Sequence, residues 1–299
     1  MIDLRSDFCA PPTEEMWEAM RAAPFGWAAA GEDETVNELE RRAAALLGKD
    51  AAVFVATCSL ANLVAVLAQT ERGERVAIDE TAHILVNEGD WLTQLAGLVP
   101  VPLGEAASLV CLENTRTRPG GTVLPPAEAA SLTAGAAHVH LDGARLANAA
   151  VALGVPLAEL AACADTVAFS LNKGLCAPFG AVLAGEERTI ARARIELKRL
   201  GGATIHKAGM LAAAGLVALD LIGRLADDHR RARELAGLLG LPAPETNIVM
   251  TDLGAGALPL LEARGVLALA PSGDRVRLVT HRGIADRSIA EAVAAIDGL

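Results

Sequence analysis

The stretch Asp165–Gly180, DTVAFSLNKGLCAPFG, decides the fold. Its first residues, Thr166 to Leu171, form a short apolar, β-rich run of the kind that becomes a buried strand. A glycine-flanked loop follows and carries Lys173, the only cation in the segment. A second stretch, His138–Arg145, HVHLDGAR, has the same form. A β-rich run ends in Asp142, and Arg145 follows just beyond a glycine. A carboxylate at the end of a buried strand needs a positive partner, because an unpaired buried charge costs about 3–5 kcal/mol.

An aspartate for a pyridinium nitrogen, a nearby arginine and a lysine able to form a Schiff base are what pyridoxal phosphate (PLP) requires of a protein. Lysine suits the imine because desolvation and neighbouring cations shift its pKa readily. Read alone, each stretch also fits an ordinary solvated loop charge; their conjunction points to the cofactor.

Outward from these stretches the chain alternates strands and helices. Strands are expected at Ala51–Val55, Arg75–Asp79, Ser108–Glu113, His138–Asp142, Thr166–Leu171 and Phe179–Ala184. Helices lie between them, which is an α/β pattern with a mostly parallel sheet. Asp142 and Lys173 fall at C-terminal strand ends, where open α/β sheets place ligands. Gly31–Gly48 reads as a helix with a capping box at Thr35 and Glu38. Thr57-Cys58-Ser59 joins a strand to a helix N-terminus, where unpaired N–H groups can hold a phosphate, although an ordinary N-cap explains the same residues. Lys207–Gly240 reads as one long helix. The pattern divides the chain into an N-terminal arm and large domain at 1–235 and a small domain at 236–299.

The totals narrow the function. Lys plus Arg number 26 against 37 Asp plus Glu, a net charge of −11, which disfavours nucleic acid and anionic membrane as partners. The five cysteines are scattered without CxxC spacing, which favours a reducing cytoplasm over a disulfide framework and gives no metal site. The longest apolar run, Ala208–Leu219, is too short to span a bilayer. Gly254-Ala255-Gly256 lacks the third glycine of a dinucleotide loop. Tyrosine is absent, so no tyrosine can be a catalytic acid.

HLDGARLANAAVALGV followed by SLNKGLCAPFGAVLAG resembles the low-specificity L-threonine aldolases, PLP-dependent transferase-like (fold type I) enzymes. The resemblance extends to Arg5-Ser6-Asp7, to GED-TVN-LE in 31–40, to DETAHI in 79–84 and to Glu113-Asn114-Thr115 with Gly120-Gly121. It implies a large α/β domain with a small C-terminal α/β domain, working as a homo-oligomer, dimer or tetramer, with active sites at the subunit interface. It implies that Lys173 bonds the cofactor, Asp142 pairs with the pyridine nitrogen, and His83 stacks on the ring near the substrate hydroxyl. Thr57, Cys58 and Ser59 then hold the phosphate. Ser6, Arg145 and Arg277 hold the substrate carboxylate. Lys198 and Lys207 would reach a neighbouring subunit's cofactor.

The chain departs from that pattern in three places. Cys58 stands where the family has glycine, Arg116 where it has histidine, and Gly26–Ala30 where it has an acidic, tyrosine-containing turn. Arginine cannot act as a base at neutral pH but can bind an anion, which makes Arg116 a candidate substrate contact. The implied reaction is retro-aldol cleavage of a β-hydroxy-α-amino acid to glycine and an aldehyde. β-Elimination, racemisation or amino-group transfer on the same scaffold, or a non-catalytic homologue, stay open at this point.

Overall fold

The computed structural model describes residues 1–203, 205–271 and 275–299. Seven strands make the central sheet: β1 (Ala51–Val55), β2 (Arg75–Ile78), β3 (Val99–Val101), β4 (Leu109–Glu113), β5 (His138–Gly143), β6 (Thr166–Ser170) and β7 (Ala181–Gly185). Their order is β1-β7-β6-β5-β4-β2-β3. Strand β7 runs antiparallel to both neighbours, and the other pairings are parallel. The mostly parallel α/β architecture expected from the sequence is therefore the one observed.

Side chains alternate across each strand, so each strand feeds two cores. Ala52 and Phe54 of β1, with Val167 and Phe169 of β6, join one cluster with the helices Glu34–Leu47 and Ala208–Asp220. Val53, Val55 and Ala168 enter another, against the helices Cys58–Gln69 and Glu187–Arg199. A sheet covered on both faces exposes only its strand ends, and the chemistry-bearing residues gather there.

Two local expectations are corrected. The helix Glu34–Leu47 is capped by Asp33, whose carboxylate accepts from the Val36 N–H at 3.1 Å, and Thr35 lies inside the first turn. A carboxylate at this position also meets the positive end of the helix dipole. The expected long helix Lys207–Gly240 is two helices, Ala208–Asp220 and Leu225–Leu238, with a 54° bend between them. Arg224 occupies the break. It donates to the Gly174 carbonyl at 3.0 Å and forms a bidentate pair with the buried Asp228 at 2.8 and 2.7 Å. The bend thus ties the second helix to the residue after Lys173. No single described helix is long and apolar enough to cross a membrane.

The N-terminal arm packs with the C-terminal part of the chain. Ile2–Asp3 pairs in parallel with Val266–Leu267, and the Val279 N–H donates to the Leu4 carbonyl at 2.9 Å. Arg277–Val279 pairs antiparallel with Ile248–Met250. Leu4 lies in one apolar cluster with Leu235, Val249, Leu261, Val276 and Ile289. The arm then continues to Ser6 and Asp7, which are buried.

The lysine loop closes against the sheet at Gly180, whose φ is +96°. A Cβ there would lie 2.4 Å from the Phe54 ring. Gly180→Ala should destabilise the fold by about 2–4 kcal/mol, combining left-handed strain with overpacking. The check is a lower urea midpoint at unchanged slope.

Candidate active site

At the C-terminal ends of β4, β5 and β6 lies a cavity of about 540 Å³. Its wall includes Ser6, the turn Thr57-Cys58-Ser59, His83, Arg145, Lys173 and Arg277. These residues are far apart in the chain. The strand ends, the helix start at 58, the N-terminal arm and the small sheet bring them to one place.

The helix start is built for an anion. The Thr57 hydroxyl caps Cys58–Gln69 by accepting from the Leu60 N–H at 3.0 Å. The N–H groups of Cys58 and Ser59 lie in the first turn, where no intrahelical carbonyl reaches them. Burial, reinforced by the Asp142 charge, pushes the Cys58 thiol well above its ordinary value, so it stays neutral.

Asp142 lies behind this turn and is 2% exposed. It receives the Asn62 amide at 3.1 Å and its own loop's Ala144 N–H at 3.1 Å, and the Cys58 sulfur is 3.9 Å away. Among the described residues no cation forms an ion pair with it. Arg145, two positions beyond the strand end, gives its charge elsewhere. Its guanidinium makes a bidentate pair with the fully buried Asp7 at 2.9 and 2.7 Å, and its remaining nitrogen donates to the Thr117 hydroxyl at 3.2 Å. Burial alone would raise the Asp7 carboxyl. The charge and hydrogen bonds of Arg145, helped by Lys173 and Asn247, instead hold it well below the usual carboxylate range.

Arg145 is thus a committed guanidinium, while Arg277 has no ion pair among the described residues. Arg277 donates to the Arg5 carbonyl at 3.3 Å, and its buried Nε has no partner among the described residues. Burial, together with the nearby Arg145 charge, brings Arg277 down to about 10, so it remains a cation at neutral pH. A partly desolvated guanidinium in a cavity wall, with no carboxylate paired to it among the described residues, is a site for a carboxylate.

His83 begins a short helix, His83–Asn87. Its backbone N–H donates to Glu113 at 2.9 Å, and the other Glu113 oxygen accepts from the Thr117 N–H at 2.9 Å. One carboxyl group therefore pins the histidine turn to the loop after β4. Burial lowers the imidazole pKa, keeping the ring neutral, and raises both Glu88 and Glu113, with the Asp142 charge adding to each rise. Lys173 stands close enough for its charge to act on Asp7, Cys58 and His83.

Arg116 is not brought to this cavity. It forms a backbone bridge with Thr122 and pairs with Glu128 at 3.3 Å. The chain turns at the next residue, and Thr117 takes the inner side, against Arg145. Arg118 also lines the cavity. Lys198 and Lys207 line a separate cleft beside Trp27. Sequence reasoning passed over Asn62, His140 and the pairing of Asp7. Alternation along His138-x-His140-x-Asp142 was the available signal for His140, and helical spacing from Cys58 was the one for Asn62.

The donor set fits PLP. A cation-free buried carboxylate suits a pyridinium, a helix start suits a phosphate, and a lysine stands in the same wall.

A beta-eliminating lyase profile matches residues 3–107 and 103–253. The chain is 37% identical to the low specificity L-threonine aldolase of Escherichia coli K12, covering 98% of each. It is 34% identical to low-specificity L-threonine aldolase 1 of Arabidopsis thaliana, covering 95% of this chain and 92% of that one. The solved Leishmania major threonine aldolase shares the fold, with a TM-score of 0.82 at 18% identity over 99% of this chain and 98% of that one.

The Asp7 carboxyl has a folded pKa below its unfolded value, so its contribution is complete above about pH 4 and is lost as pH falls further. Asp7→Asn should flatten this acid limb in denaturation measured from pH 6 to pH 2. At neutral pH it should cost about 3–5 kcal/mol, because Arg145 is left buried and unpaired.

Proposed function

The chain belongs to the beta-eliminating lyase family, and on that premise we propose that this cavity cleaves β-hydroxy-α-amino acids of the L-threonine and L-allo-threonine type to glycine and an aldehyde. The observation that carries the reading is the meeting of three unlike groups in one wall: Lys173, Arg277, which has no ion-pair partner among the described residues, and a neutral His83.

PLP, when bound, supplies an aldehyde that takes up amines and a ring that accepts the electron pair of the breaking Cα–Cβ bond. Lys173 would hold it covalently, and the amides of Cys58 and Ser59, with the Thr57 turn, would hold its phosphate. Asp142 would keep a proton on the pyridine nitrogen.

Arg277 takes the substrate carboxylate, and Ser6 joins it by turning its single hydroxyl hydrogen from Asp7 to the substrate. Arg145 acts from behind: paired with Asp7, it fixes Ser6 and Thr117 at the cavity wall. His83 is neutral at pH 7 and can accept the β-hydroxyl proton, directly or through a water. Departure of the aldehyde leaves the electron pair at Cα, and a proton returned there completes glycine. Glu113 holds His83 and Thr117 at a set separation across the cavity mouth.

A homo-oligomer and a reducing, cytoplasmic setting complete the proposal. Phe8 in the cavity wall, Trp27 at the separate cleft and Phe25 are 59, 62 and 71% exposed, apolar surface that a second copy would cover. Cys9, Cys58, Cys111, Cys163 and Cys176 are all free.

With PLP, L-threonine should give glycine and acetaldehyde, and Lys173→Ala should abolish both products and the borohydride-trapped cofactor. Ammonia with a keto acid would instead assign elimination. Arg277→Met removes charge-assisted hydrogen bonds of about 1.5–3 kcal/mol each, so kcat/KM for L-threonine should fall about 100-fold or more. Light scattering should return a mass at least twice that of the 30.8 kDa chain.

A further inference from the structure

A chain of buried polar side chains runs beneath the cavity from β6 to Asp142. Gln69 Nε2 donates to the Ala65 carbonyl at 3.0 Å and to the Thr166 hydroxyl at 2.8 Å. Thr166 Oγ1 is 2.9 Å from His140 Nδ1. His140 Nε2 is 3.0 Å from Asn62 Oδ1, and Asn62 Nδ2 is 3.1 Å from Asp142 Oδ2 and 3.2 Å from Glu88. Asn62, His140 and Thr166 are all completely buried.

The direction of every bond follows from its ends. A carbonyl can only accept, so Gln69 presents its N–H₂ there and also to Thr166. A threonine hydroxyl that accepts from Gln69 can still donate, and with its hydrogen on His140 Nδ1 the imidazole keeps its single proton on Nε2. That N–H must meet an oxygen, so Asn62 turns its carbonyl to His140 and its N–H₂ to Asp142. From the other end, an ionised Asp142 can only accept, which demands the same arrangement. The Asp142 end, with a neutral imidazole, sets the directions and the Gln69 end is compatible with them, so all the bonds point toward the carboxylate. Such a chain polarises cooperatively. Burial brings His140 down to about 4, which keeps it in the neutral form this pattern needs.

We infer that Asn62 is the positioning residue for Asp142, and that His140, Thr166 and Gln69 set the orientation of its amide. With the amide reversed, an oxygen would face the carboxylate, and the group required on the pyridine nitrogen would be displaced. The inference rests on the PLP reading of the site and adds residues that touch neither cofactor nor substrate.

Asn62→Asp keeps the shape and places an acceptor against Asp142. His140→Leu removes the donor that holds the amide, and His140→Gln keeps a donor near the same point. PLP dissociation constants can be read from the visible absorbance of the reconstituted protein, alongside kcat and KM for L-threonine. Loss of one hydrogen bond to a charged group should weaken PLP binding and lower kcat about 10- to 100-fold, with KM changed less than threefold. That is the expected result for Asn62→Asp and His140→Leu, with His140→Gln recovering most of both quantities. Near-UV circular dichroism confirms which variants are folded. A folded Asn62→Asp with wild-type PLP affinity and kcat would overturn the inference. So would His140→Gln and His140→Leu impaired alike, since shape rather than the donor would then matter. Failure of the unaltered protein to bind PLP would overturn the reading of the site itself.

Discussion

The buried ion pair between Arg145 and Asp7 is the constraint on which the site depends. Two charges leave water there, and only a close bidentate geometry with further hydrogen bonds offsets that loss. Ser6 and Asn247 donate to Asp7, and Arg145 also donates to Thr117. The arm, the loop after β5, the loop after β4 and the small sheet all meet at this pair. Removing either charge would strand the other, so the four segments are held in a single arrangement.

Because Asp7 absorbs the charge of Arg145, the remaining electrostatics separate. Asp142 is held by an amide, a thiol and a loop N–H, and so remains available to a cationic ring. Arg277 keeps a free edge for an anion. The nearby carboxyls Glu88 and Glu113 are raised by burial and by the Asp142 charge. Neutral imidazoles above and below, His83 and His140, add hydrogen bonding without adding charge. Burial is the common cause, acting oppositely on acids and bases.

Much of this was legible along the chain. The apolar runs ending in Asp142 and before Lys173 are local patterns, and strand ends are where open sheets bind ligands. Ser6, Thr57, Cys58, Ser59, His83, Arg145 and Arg277 were all named from the sequence, and all line one cavity. Arg116 was named for its chemistry, yet its direction depends on the bridge to Thr122 and on the pair with Glu128. The single helix expected over Lys207–Gly240 fails for a similar reason. The run contains no proline to mark a break, and the break falls where Arg224 reaches a carbonyl fifty positions away.

The sequence by itself determined the alternation of strands and helices, the strand ends that carry Asp142 and Lys173, and the types of side chain available for chemistry. These rest on hydrophobic period and residue identity, which are properties of neighbours in the chain. Only the tertiary structure decided which arginine is spent on Asp7 and which is left for a ligand. It alone turned the Asn62 amide toward Asp142 and Arg116 away from the cavity. Asp7 and Arg145 are 138 positions apart, and the orientation of a hydrogen bond is fixed by what lies at its far end.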